Sequence, residues 1–121
     1  SELAVGIGPF VVGPAVERKA GTSAFNTMTI NATKWFDANW AREKGIYSEV
    51  FEDTESMDER VAELALKLSK SNPEAMKELK KVMWKGTENW KELLKERAQI
   101  SGKLILSEFS KDAIKKFKIN K

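Results

Sequence analysis

The residues that could do chemistry are few. Glu2 is the only charge in the first sixteen residues, a run that continues Leu3-Ala4-Val5-Gly6-Ile7-Gly8-Pro9-Phe10-Val11-Val12-Gly13-Pro14-Ala15-Val16. A carboxylate beside apolar chain is a candidate general acid or base. The sequence has neither histidine nor cysteine. That removes the commonest general base, the commonest transition-metal ligand, thiol nucleophiles and disulfides. Proton transfer is left to Glu, Asp, Lys, Tyr47 or water. The other carboxylates are spread along helical stretches as i,i+4 partners of lysine, without metal-ligand clustering, so no metal is expected. A second charged feature lies at the end, where Lys111, Lys115, Lys116, Lys118 and Lys121 accompany one acid, Asp112. Lysines there suit a helix C-terminus and a solvated face as well as an anionic ligand.

These residues sit in a chain of 121, which makes one domain or a piece of one. With 41% hydrophobic and 32% charged residues it reads as globular. A net charge of +3 is too weak to argue for nucleic acid, and lysines alternate with acids everywhere except the last eleven residues. No stretch approaches the roughly 20 apolar residues of a membrane span. The apolar start lacks a basic leader and is broken by glycine and proline, unlike a signal peptide. No nucleic-acid or membrane partner is expected, and the expected location is cytoplasmic.

The elements that must position Glu2 and the lysines are helical. The spacing predicts a mainly α fold of six to seven helices with one short strand near 46–51. A first helix runs over 9–20, with Pro9 near its start and Gly21 as its stop. Thr22 opens a second, carrying Phe25, Met28 and Ala32. Asp37 caps a short third, which ends at Gly45. Ile46-Tyr47-Ser48-Glu49-Val50-Phe51 is the strand-like stretch. Met57, Val61, Leu64 and Leu68 recur at helical spacing, with Ser56 and Glu59 fitting a capping box. Asn72-Pro73 starts the next helix, with Met76, Leu79 and Met83 as its stripe and Gly86 beyond its end. Thr87 opens a long helix carrying Trp90, Leu94, Arg97 and Ile100 and reaching Leu104. Phe109, Ala113 and Phe117 mark the last.

Four tryptophans and six phenylalanines are many large side chains for this length. Surplus apolar stripes point to helices that pack on another chain or on a further segment, against the alternative of a filled monomeric core.

The order of these pieces resembles the C-terminal portion of the crotonase superfamily, the enoyl-CoA hydratases and isomerases. Glu2, Gly6 and Pro9 follow the family's Glu, apolar residues, glycine and helix-opening proline. Ala20-Gly21 matches the end of its short helix. Ala38, Ala41, Gly45-Ile46-Tyr47 and Val50 follow its alanine–glycine–valine pattern. Asn72-Pro73-Glu74-Ala75 with Lys80 or Lys81 echoes a later helix start, and Phe117 with Lys118 or Lys121 fits its last helix.

The resemblance implies an acyl-CoA enzyme. In that family two backbone N–H groups polarise the thioester carbonyl while a carboxylate moves a proton on the acyl skeleton, through an enolate-like species. It makes Glu2 the catalytic acid/base and Pro9, Phe10, Phe117, Lys118 and Lys121 contacts to substrate or coenzyme A. No cofactor is implied beyond the coenzyme A thioester that is the substrate. Residues 1–52 become the end of the crotonase-like core, and 53–121 a helical trimerisation region of a homotrimer or hexamer. Family members are longer, and their first half supplies the oxyanion hole. The chain is therefore expected to be a fragment, inactive alone. Phe10 is bulky where the family often has glycine, which leaves hydration, isomerisation, decarboxylation and thioester hydrolysis open. Two other classes stand beside this one: a stand-alone helical interaction module, and a nucleic-acid binder using the lysine tail.

Overall fold

A computed structural model describes residues 1–119, with side chains as far as Lys116. The described residues form six α-helices and a short 3-10 turn, Glu2–Val5. The helices are α1 (Gly13–Ile30), α2 (Ala38–Glu43), α3 (Thr54–Ser69), α4 (Pro73–Met83), α5 (Trp90–Leu104) and α6 (Glu108–Ile119). The mainly α expectation holds. The strand expected near 46–51 is not formed. A strand needs a neighbour for its ladder, and the described residues contain no strand to pair with it. The stretch instead leaves α2 through Gly45 (φ 73°), and the Ile46 and Tyr47 N–H groups both donate to the Ala41 carbonyl.

Two compact units can be described separately. The first comprises residues 1–48 and 91–121, the second 49–90. The first unit thus takes residues from both sides of the 52/53 boundary expected from the sequence.

In the first unit, α1 is really two helices. Gly21, at φ 81° and ψ 158°, breaks it where the sequence placed a stop. Gly13 and Phe25 are twelve positions apart, which in a straight helix means about 18 Å along the axis. Yet a Cβ on Gly13 would lie 3.0 Å from the Phe25 ring. The break therefore turns the second half back over the first. Pro14, rather than Pro9, occupies the opening turn of α1. The 3-10 turn packs against α1 and α6. Its closing residue, Gly6, adopts φ 79°, and a Cβ there would meet Phe109 Cδ1 at 2.5 Å and Ser110 Oγ at 2.7 Å. Ser110 is 0% exposed, more enclosed than Ala24 (5%) or Ala41 (8%). Ser107 caps α6, its Oγ accepting from the Ser110 N–H and donating to Ser110 Oγ. The Asp37 carboxylate caps α2 by accepting from the Trp40 N–H at 2.7 Å.

In the second unit, the cap of α3 is Asp53 and not Ser56. Its carboxylate accepts from the Ser56 N–H at 2.7 Å and the Ser56 hydroxyl at 2.6 Å. Those two bonds, the hydroxyl first, hold the Asp53 carboxyl below its ordinary value. Arg60 donates from Nε to Glu49 at 3.0 Å and from Nη1 to Glu63 at 2.9 Å, tying the 49–53 segment to α3. Both contacts raise the pKa of its guanidinium, Glu49 more than Glu63. Asn72 caps α4, accepting from the Glu74 and Ala75 N–H groups, as the Asn72-Pro73 signal predicts. None of the residues of α3 or α4 is buried. Met57, Val61, Leu64, Leu68, Leu79 and Met83, the stripes read from the sequence, are all exposed.

Candidate active site

The 3-10 turn that carries Glu2 is built by its backbone. Gly6 N–H donates to the Leu3 carbonyl at 3.1 Å, and Ile7 N–H to the Glu2 carbonyl at 3.0 Å. Pro9 has no N–H to give, and its carbonyl accepts from Gly13 N–H at 2.8 Å, which starts α1. The chain thus leaves Glu2, reverses at Gly6 and re-enters at Pro9.

A cleft of about 160 Å³ lies between these pieces, lined by Ser1, Glu2 and Leu3, by Pro9, Val12 and Val16, and by Phe25, Met28 and Thr29. Glu2 is exposed to solvent and is the only charged side chain on the lining. The two halves of α1 supply the opposite wall because Gly21 folds them together. The Thr29 hydroxyl donates to the Phe25 carbonyl at 2.8 Å, so it is engaged within the helix. A second cleft of about 180 Å³ shares Pro9, Phe25 and Thr29 with the first and adds Phe10, Gly13, Pro14, Glu17 and Arg97. Glu17 accepts from the Thr22 hydroxyl at 2.7 Å. The Arg97 Nε is buried and has no hydrogen-bond partner among the described residues.

Of the site residues expected from the sequence, the structure brings Glu2 and Pro9 to one cleft, and Pro9 and Phe10 to the adjoining one. The Phe10 ring lies over Gly8, where a Cβ would meet it at 2.7 Å. Phe117 and Lys118 fall within α6, but their side chains lie outside the described residues, as does Lys121 entirely. Sequence reasoning missed Phe25, Glu17 and Arg97 as site residues. Arg97 had a visible signal: it occupies the apolar register of α5 between Leu94 and Ile100. Among the described residues no group of three or more Asp or Glu is placed to hold a metal. No described helix is long and apolar enough to cross a membrane.

The described residues thus set one charged side chain, Glu2, on a largely apolar cleft. Residues 1–119 match the enoyl-CoA hydratase/isomerase family, and the chain belongs to that family. The resemblance to that family is thereby borne out. No curated protein and no solved structure matches the chain.

Proposed function

We propose that the chain carries the acid–base carboxylate and part of the acyl pocket of a cytoplasmic acyl-CoA enzyme, a hydratase or isomerase. The observation that carries this reading is Glu2 on the 160 Å³ cleft, facing an apolar wall from Pro9, Val12, Phe25 and Met28. In the proposed reaction the Glu2 carboxylate takes or returns a proton on the acyl carbon skeleton, while the thioester oxygen carries the enolate charge. Phe10 and Pro9 bound the acyl group, and Phe117, Lys118 and Lys121 reach coenzyme A. The thioester is the substrate and no further cofactor takes part.

The oxyanion donors, and any second carboxylate, belong to residues outside this chain, so the chain alone is inactive. Large apolar side chains left at the surface, from Leu3 and Val11 to Leu106 and Phe109, support a need for further covering protein. Assembly into a homotrimer or hexamer through residues 53–121 is the matching proposal for the stripes of α3 and α4. Glu2→Gln in the protein that contains this chain tests the catalytic role. Turnover of enoyl-CoA substrates is expected to fall roughly a hundred- to ten-thousand-fold. Unchanged turnover rejects the assignment.

The exposed stripes also favour a second reading, a helical module whose only work is protein–protein interaction. Light scattering on the chain separates the two. Three chains per particle support the enzyme reading, and a well-folded monomer at micromolar concentration counts against it.

A further inference from the structure

Among the described residues of the first unit, Arg97 is the charged group with a buried, unpartnered donor, its Nε. A guanidinium keeps its charge and offers five donors. A buried donor without an acceptor is costly, and more so when charged. Arg97 Nε is in that position among the described residues. Glu17, on the same cleft, does not relieve it: its carboxylate accepts from Thr22, and no ion pair joins it to Arg97. The remaining walls come from Phe10, Phe25, Gly13, the two prolines and Thr29, whose hydroxyl is engaged with the Phe25 carbonyl. At about 180 Å³ the space is equivalent to roughly six water molecules, enough for a small oxyanion with a few carbons. The cleft also shares Pro9, Phe25 and Thr29 with the one that holds Glu2.

We infer that Arg97 is the seat of an oxyanion, a carboxylate or a phosphate, carried on a small apolar body. Assigning that oxyanion to an acyl-CoA, as a terminal carboxylate of the acyl group or as a phosphate of the coenzyme, rests on the function proposed above; the seat itself does not. Glu17 at the same cleft disfavours a second negative charge, which limits the ligand to one oxyanion at this place.

The chain labelled with nitrogen-15 provides the test, because each of its four arginines gives its own Nε–Hε signal. Butyrate and inorganic phosphate are the probes, and Arg97→Lys identifies the Arg97 signal. A saturable shift confined to Arg97 is expected with butyrate or with phosphate, and which of the two binds tighter names the oxyanion. Arg97→Gln, checked for helix content by circular dichroism, should weaken that binding roughly tenfold. The inference is overturned if the Arg97 signal does not move, if all four arginines shift together, or if Arg97→Gln binds as the parent does. None of these outcomes depends on acyl-CoA turnover, so failure here leaves the Glu2→Gln test to judge the proposed function.

Discussion

Gly6 is where the 3-10 turn meets α6, and replacing it with alanine measures that junction. Two costs add. The residue sits at φ 79°, where an L side chain loses roughly 1–2 kcal/mol. The new methyl would also stand 2.5 Å from Phe109 Cδ1 and 2.7 Å from Ser110 Oγ. The Phe109 ring is exposed and can swing aside, but Ser110 is fully enclosed and bonded to Ser107. Forcing a methyl against it is an overpacking cost of roughly 1–3 kcal/mol. Together Gly6→Ala should lose about 2–5 kcal/mol. Gly45→Ala is the control, because it shares the positive φ of 73° while its nearest neighbour, the Lys19 carbonyl, stands at an ordinary 3.5 Å. That change should cost only the backbone part, about 1–2 kcal/mol. Urea unfolding followed by circular dichroism reads both losses, and the midpoints should separate clearly. Equal losses for the two variants would refute the close approach of the turn to Ser110.

Other outcomes follow from the caps and stripes. Asp53→Ala should fray the first turn of α3, seen as lost helix signal. Because the Asp53 carboxyl is held below its ordinary 3.8, its contribution is present above that value and disappears as pH falls through the lowered one. A pH titration of α3 helicity in the parent, set against Asp53→Ala, checks this. Asn72→Ala should cost about 1 kcal/mol in thermal unfolding, since α4 then loses its side-chain acceptor for the Glu74 and Ala75 N–H groups. Leu64→Glu, on an exposed position of α3, should leave helix content intact while light scattering shows any assembly reduced to single chains.

The helices were legible because their punctuation is local. Asp37, Asn72-Pro73 and Gly21 each act through bonds or dihedrals within a few residues, and each does what its type predicts. The errors arose where two local solutions competed. Asp53-x-x-Ser56 and Ser56-x-x-Glu59 are both capping patterns, and the upstream carboxylate wins by accepting two bonds. Thr87 looks like a helix start, but its hydroxyl donates back to the Trp84 carbonyl at 2.7 Å and α5 begins at Trp90. The β-prone residues 46–51 lacked a partner that no local pattern could supply. The candidate site was legible only at its ends. Glu2 and Pro9 are close in sequence, whereas Phe25 reaches the same cleft through the reversal at Gly21, and Arg97 arrives from α5. Those meetings depend on tertiary packing, which composition and spacing do not encode residue by residue.

The lack of any buried residue in α3 and α4 has a consequence for motion. Local opening is opposed by contacts that opening would break. Around Ser110, opening must separate the 3-10 turn from α6. Along α3 and α4 no described residue is buried, so less packing opposes it. Amide protons between Met57 and Met83 should therefore trade with heavy water long before those of Ser110 and Lys111, unless another surface lies over the leucines. The exchange clock of those two helices becomes a direct gauge of whether anything is bound to them.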